Sequence, residues 1–215
     1  MENTAYSLDE LLCQSLLLFR QYRLYDDPGC AAKASRMLED ARLLIDAQNG
    51  VDMAKWGCAM ECLAQKFYIN GDTDAVLADI DVALNAYWKK IEKSPLDVFS
   101  AYLWLGYYFL LRFRNDHSHF RSRSKQMMSG ILSFLADAFH RLEKGTVSTD
   151  VLSVFSADVW GETVYWMEQV HDTRICEKQS AALLGQLYNM KKVELQHNPS
   201  VPNVLLQHIL EFYCF

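Results

Sequence analysis

The chain has 215 residues, of which 51% are of apolar type and 13% are aromatic, and its formal net charge is −6. A chain of this length can bury a sizeable core, and this composition excludes an intrinsically disordered protein. The negative charge argues against a nucleic-acid-binding protein, which needs a basic face to displace counterions from phosphates. Because only four prolines and nine glycines occur, the composition favours long helices over many short strands.

The chain carries no pattern typical of secretion or of a membrane span. Glu2, Asp9 and Glu10 precede the first apolar run, which argues against a secretory signal peptide. The longest apolar run, Ala101 to Leu111, is about half a membrane span and predicts a buried helix. Six cysteines occur without a C-x-x-C pair, which favours free thiols over disulfides. We therefore expect a cytoplasmic protein with neither a membrane nor a nucleic acid as its partner.

The first two helices are predicted from their boundary residues. Ser7 and Glu10 have the spacing of a capping box and open the first helix. That helix should stop before the turn cluster Asp26 to Gly29. The second helix is predicted from about Ala31 to Ala47, and Asn49-Gly50 should end it in the left-handed conformation.

Two helices in the middle of the chain carry the clearest apolar patterns. The third, from about Asp52 to Tyr68, has one apolar stripe and a second face of small residues, as expected of an inner helix. Its stripe comprises Met53, Trp56, Met60, Leu63 and Phe67. The fourth helix has a core stripe roughly 100° wide, with its other residues outside that arc, Asp81 among them. This stripe comprises Leu77, Ile80, Leu84, Tyr87, Trp88 and Ile91.

Further helices follow with short connections. A fifth, Leu96 to about Arg114, is apolar nearly all round, and a sixth should end near Gly145. A seventh begins after a cap at residues 148–150, an eighth covers about Thr173 to Leu195, and a short last helix follows Pro202. The sequence therefore predicts an all-α protein of about nine helices. We expect one domain over residues 1–215, built from antiparallel hairpins in an α/α arc or partial toroid.

Part of this pattern resembles a known family. The resemblance begins with Gly50 to Gly57 and Leu63, continues with Asn70 to Asp74, and includes Leu77 and Asp79-Ile80-Asp81. These residues resemble the lanthionine synthetase C-like (LanC-like) proteins, especially a bacterial branch found beside peptide-maturation genes. The segment Asp97 to Arg112, with Gly106, Tyr107 and Arg112, is similar to the family's next inner helix. The resemblance implies an α/α toroid, whose cyclase members bind a catalytic zinc through two cysteines and a histidine.

The sequence also departs from that family. Two glycines of the family's repeated motif are replaced within Asp52-Met53-Ala54-Lys55, and the family's cysteine and Cys-His-Gly zinc-binding stretches are absent from the sequence. The chain is also shorter than members of the family. What the resemblance implies is therefore a shortened relative of the toroid without catalytic activity.

A cluster of basic residues surrounds the loop after the fifth helix. We call these six residues the basic loop cluster: Arg112, Arg114, His117, His119, Arg121 and Arg123. They could bind a phosphate, an acidic peptide or the carboxylates of a partner. The alternative is a solvated helix end, whose arginines complement the negative terminus of the fifth helix.

Two sets of residues suggest catalytic alternatives. Cys58 and Cys62 share a helix face and could supply part of a zinc site, although two buried thiols would give the same pattern. His117 and His119 could chelate a metal, although a polar loop between helices has the same composition. A second set combines aromatic residues with carboxylates, as α/α-barrel enzymes of carbohydrates do. It comprises Trp160, Glu162, Tyr165, Trp166 and Glu168, and aromatic residues at helical spacing are more often core.

The favoured hypothesis is a non-catalytic, cofactor-free accessory protein that binds a peptide or protein partner. Homo-oligomers are a further expectation, because truncation of a toroid would expose an apolar side of its inner helices. The alternatives are a small metal-dependent or peptide-modifying enzyme and a carbohydrate-active enzyme.

Overall fold

The computed structural model describes residues 6–46, 48–91, 99–115, 118–144, 157–191 and 205–209. Within these ranges the chain forms helices and no strand, which confirms the all-α prediction. The long helices are α1 Leu8–Tyr25, α2 Pro28–Leu43, α3 Gly50–Gln65, α4 Thr73–Ile91, α5 Phe99–Arg114, α6 Arg121–Glu143, α7 Ala157–Asp172 and α8 Glu177–Lys191. A further helical segment at residues 205–209 brings the number in the described ranges to nine, as predicted.

Two compact units divide the chain. One comprises Met1–Asn85 with Val204–Phe215, and the other comprises Ala86–Asn203, so the boundary falls within α4. We call them unit 1 and unit 2. A single domain over residues 1–215 stays a prediction, because compact units of this kind occur within domains as well as between them.

In unit 1, helices α1 and α2 form an antiparallel hairpin. The capping box at Ser7 is present as predicted, and Ser15 donates a hydrogen bond to the carbonyl of Ala34 at 3.0 Å. The predicted start of the second helix at Ala31 is wrong. Helix α2 begins at Pro28, because Asp27 caps it and proline at the first helical position needs no hydrogen-bond partner for its nitrogen.

Helix α3 runs parallel to α1 and begins earlier than predicted. Asn49 and Gly50 do not end the second helix, because the Asn49 side chain accepts hydrogen bonds from the first turn of α3 and therefore caps it. Near its start, Lys55 pairs with Asp9 of α1 at 2.8 Å. Near its end, Arg23 of α1 donates to the carbonyl of Lys66 at 3.4 Å.

The predicted core stripes of α3 and α4 are correct for most of their members. Leu77, Leu84, Trp88 and Ile91 are buried in α4, as are Met53, Trp56 and Leu63 in α3. Two assignments are wrong. Phe67 lies beyond the end of α3 and is exposed, and Asp81, which the pattern placed outside the core arc, is buried.

In unit 2, helix α5 is central. Every residue from Ala101 to Leu111 is buried, so the prediction that this apolar run forms a buried helix is confirmed. Helix α6 lies antiparallel to α5, since Tyr102 stacks on Phe134 near one end and Phe109 on Phe120 near the other.

Helix α7 runs parallel to α5, and α8 returns antiparallel to α7. Tyr107 of α5 donates to the carbonyl of Glu162, and Gly106 allows the Trp166 ring to approach the α5 backbone closely. Tyr188 of α8 donates to the carboxylate of Glu168 in α7. Helices α1 to α3 in unit 1 and α5 to α8 in unit 2 therefore alternate in direction along the chain, as in stacked α/α hairpins.

Candidate functional site

The basic loop cluster lies where α5 ends and α6 begins, in unit 2. His117 lies outside the described residues. Arg112 is buried, and its guanidinium lies 5.7 Å from the centre of the Phe120 ring, where a cation interacts favourably with the ring face. Arg112 therefore packs the connection between α5 and α6 and does not present its charge on the surface.

The other arginines of the basic loop cluster also contact the protein itself. Arg114 donates to the side-chain oxygen of Gln169 at 2.9 Å and so holds α5 against α7. Arg121 lies 4.6 Å from the centre of the Phe113 ring, and Arg123 donates to Gln126 at 3.0 Å. His119 is exposed. These contacts give the arginines a structural role, and ligand binding by the cluster stays a prediction.

The two thiols considered as zinc ligands lie in the core of unit 1. Cys58 and Cys62 are buried, and burial raises the pKa of both thiols well above the usual value. The Cys62 sulfur lies 3.8 Å from the carbonyl oxygen of Ile209, as a weak donor does. Zinc binds the thiolate form, which this environment disfavours. In the described ranges, no group of three or more potential metal ligands occurs.

The aromatic and acidic residues described in α7 contact the neighbouring helices. Trp166 is fully buried against Gly106 of α5, and Glu168 accepts a hydrogen bond from Tyr188. The side chain of Trp160 lies outside the described residues. A glycosidase needs two carboxyl groups facing each other across an accessible cleft. Trp166 lies in the core and Glu168 is hydrogen-bonded to Tyr188, and a carbohydrate-active site at these residues stays a prediction.

Unit 1 contains an open groove between helices α2, α3 and α4. We call it the α2–α4 groove, and its volume is about 220 Å³. Seven of the described residues line it: Ser35, Leu38, Glu39, Arg42, Trp56, Met60 and Val76. The α2 members recur at helical spacing and so form one stripe, while Trp56 and Met60 are one turn apart on α3. Leu38 and Trp56 are nearly buried and form the base, whereas Val76 is about half exposed at 49%.

The rim of the groove carries two opposite charges. Glu39 and Arg42 are exposed and lie one helical turn apart on α2. Neither side chain has a hydrogen bond or an ion pair with the described part of the chain. The groove thus combines an apolar base with one acidic and one basic group available to a ligand, a combination typical of binding pockets.

Trp56 at the base has an unmet hydrogen-bond donor. Its Nε1 is buried and has no acceptor among the described residues. An unsatisfied buried donor costs about 1–3 kcal/mol, so tryptophan is a costly way to fill this position. Packing alone therefore holds the indole ring in the wall of the groove.

Sequence reasoning assigned none of the groove residues to a binding site. Trp56 and Met60 belong to the predicted stripe of the third helix, and Leu38 received no role. One signal could have found the site. Val76 is apolar yet lies outside the core arc of the fourth helix, and the structure shows it exposed in the wall of the groove.

Comparisons of the chain with protein-family models, with characterised proteins and with solved structures find no match. The resemblance to the lanthionine synthetase C-like proteins therefore stays a prediction. No helix within the described ranges is both long enough and apolar enough to cross a membrane.

Proposed function

We propose that the protein is a non-catalytic binding protein that holds a segment of a peptide or protein partner in the α2–α4 groove. The observation that supports this most is the apolar base of Leu38 and Trp56, with Met60 in the wall, beneath the unpaired charges of Glu39 and Arg42. Apolar anchors provide affinity in such grooves, and a small number of polar groups orient the ligand.

The charges on the rim define the chemistry of the partner. We expect a short amphipathic helix with one large apolar side chain, one basic residue that contacts Glu39 and one acidic residue that contacts Arg42. Because Glu39 and Arg42 are one turn apart, the partner's two charges should also be about one turn apart. A cavity of about 150 Å³ accommodates benzene, so the groove volume of about 220 Å³ accepts one aromatic or branched aliphatic side chain.

The expected affinity follows from the size of the groove. Full burial of one large apolar side chain contributes about 1.5–3 kcal/mol, and each exposed charge pair adds up to about 1 kcal/mol. A dissociation constant of 1 mM corresponds to about 4 kcal/mol and one of 1 μM to about 8 kcal/mol. Together these contributions reach at most about 5 kcal/mol, so the groove alone supports a dissociation constant of about 0.2 mM or weaker.

Selection from a library of helical peptides displayed on phage tests the proposal. We expect enriched sequences with a large apolar residue between a basic and an acidic residue. The selected peptide should bind Val76→Gln at least about tenfold more weakly than the unmodified chain, because the substitution places a polar side chain in the wall of the groove. Val82→Gln is the matched control, since Val82 is exposed on the same helix outside the groove.

Two outcomes would contradict the proposal. One is a selection that enriches no peptide, and the other is a peptide whose affinity changes equally in the Val76 and Val82 variants. Metal analysis of protein purified without chelators addresses the metalloenzyme alternative. A stoichiometric transition metal would favour an enzyme that uses Cys58, Cys62, His117 or His119.

We also propose that the protein is cytoplasmic and that it is related to the lanthionine synthetase C-like proteins. Five free thiols in the described ranges, at Cys13, Cys30, Cys58, Cys62 and Cys176, support a cytoplasmic protein, since the cytosol keeps thiols reduced. The order of α/α hairpins within each unit supports the predicted relationship to the lanthionine synthetase C-like proteins. It also supports the α/α arc that this relationship implies.

A further inference from the structure

Three large apolar side chains lie exposed at one end of unit 1. We call them the apolar tip: Leu24, Tyr25 and Phe67. Leu24 and Tyr25 close α1, and Phe67 follows α3 with 87% of its surface exposed. Isolated exposed apolar residues are common, but a group of this kind marks an interaction surface.

Arg23 connects the two parts of the apolar tip. Its guanidinium donates to the carbonyl of Lys66 at 3.4 Å and lies 5.3 Å from the centre of the Tyr68 ring. Phe19 also packs against Tyr68, with ring centres 6.1 Å apart. Because these contacts join the end of α1 to the end of α3, the three exposed apolar side chains lie at the same end of unit 1.

Phe67 occupies a backbone position that usually holds glycine. Its φ is 60°, its N–H bonds to the carbonyl of Ala64, and the N–H of Tyr68 bonds to that of Leu63. This is the Schellman motif, in which the left-handed residue is most often glycine because a side chain is strained there. A phenylalanine here is both strained and exposed to water, and burial against a partner would offset both costs.

The charges beside the apolar tip are of both signs. Asp26 follows Tyr25 directly, and Lys66 precedes Phe67 directly. Neither side chain has a hydrogen bond or an ion pair with the described part of the chain. A two-fold symmetric interface requires a self-complementary surface, and an apolar centre beside one acid and one base meets that requirement.

We propose that the apolar tip is the interface between two copies of this chain. The aromatic rings of the two copies pack across a two-fold axis, and Asp26 of each copy faces Lys66 of the other. The surface is small compared with the roughly 800 Å² that each partner buries in a stable complex, so the dimer is weak. This inference does not depend on the α2–α4 groove.

Sedimentation velocity of the full chain, at concentrations up to about 1 mM, tests the proposal. We expect a reversible monomer–dimer equilibrium. Phe67→Asn should weaken the dimer at least about tenfold, because it removes the central aromatic residue from both copies. The same variant should raise the melting temperature of the chain, since asparagine tolerates the left-handed conformation better than phenylalanine. Val82→Gln is the control and should leave dimerisation unchanged.

Charge reversal tests the orientation. Asp26→Lys and Lys66→Asp should each weaken the dimer, and the double variant should restore it, because each copy then again offers opposite charges. A monomer at all concentrations, a dimer insensitive to Phe67→Asn, or a double variant as weak as the single ones would overturn the proposal. So would a monomer that sediments with anionic phospholipid vesicles in a Phe67-dependent way, which would assign the apolar tip to a membrane surface.

Discussion

The contact between Gly106 and Trp166 gives the sharpest prediction for the stability of the fold. A Cβ atom at Gly106 would lie 2.7 Å from Cε2, 2.8 Å from Nε1 and 3.0 Å from Cζ2 of the Trp166 ring. Real Cβ atoms essentially never come this close to other heavy atoms. Trp166 is fully buried, so its rigid ring cannot turn away without displacing its neighbours.

The expected change in the free energy of unfolding for Gly106→Ala is the difference between two effects. Alanine in a helix is more favourable than glycine by about 0.5–1 kcal/mol. Forcing an extra carbon into a packed core costs about 1–3 kcal/mol, and the Cβ at Gly106 would contact three ring atoms at once. We therefore expect Gly106→Ala to lower the free energy of unfolding by about 1–2 kcal/mol.

Urea unfolding followed by circular dichroism measures this effect. Gly185→Ala in α8 is the matched control, because a Cβ there would meet no atom of the described residues within 4 Å. The control should be more stable than the unmodified chain by about 0.5–1 kcal/mol. The stability of Gly130→Ala should lie between those of Gly106→Ala and Gly185→Ala, since its Cβ would come within 3.0 Å of only one atom, Cζ2 of Trp88. A Gly106→Ala variant as stable as the control would refute the reasoning.

Two further predictions concern a helix cap and the thiols. Ser7→Ala should cost about 1 kcal/mol in urea unfolding at neutral pH. Hydrogen bonds from the backbone and side chain of Ser7 lower the pKa of Glu10. The stability that these bonds contribute is therefore present above the usual pKa of 4.5 and is lost as the pH falls through the lowered pKa. The difference in unfolding free energy between Ser7→Ala and the unmodified chain should therefore shrink below pH 4.5. In alkylation followed by mass spectrometry, Cys58 and Cys62 should stay unmodified in the folded chain because they are buried. Burial raises the pKa of Cys13 to about 11, so its alkylation rate should keep increasing up to that pH. Rapid modification of Cys58 at neutral pH would contradict its position in the core.

The helices could be predicted because apolar periodicity and capping residues are local signals. The capping box at Ser7 and the core stripe of α4 are examples. The errors arose where one residue type serves two purposes. Pro28 suits a turn as well as the first position of a helix, and Asn49 suits either end of a helix. The exposure of Phe67 depends on where α3 stops, and no local pattern marks that position.

The candidate sites were harder to predict because they depend on tertiary contacts. The arginines of the basic loop cluster form a charged group in the sequence, but Arg112 is buried and Arg114 contacts Gln169 of another helix. The α2–α4 groove draws its wall from three helices, and the spacing within one helix cannot show which residues of the others adjoin it. Trp56 illustrates the limit, since its place in a core stripe is correct and yet it also lines the groove.

The most direct test of the proposed function is a nuclear magnetic resonance titration with the selected peptide. It would follow the indole N–H of Trp56 and the methyl groups of Met60, Val76 and Val82. We predict that the signals of Trp56, Met60 and Val76 shift with a common dissociation constant of about 0.2 mM or weaker, while that of Val82 stays unchanged. Shifts confined to residues around the basic loop cluster, or no shifts at saturating peptide, would contradict binding in the α2–α4 groove.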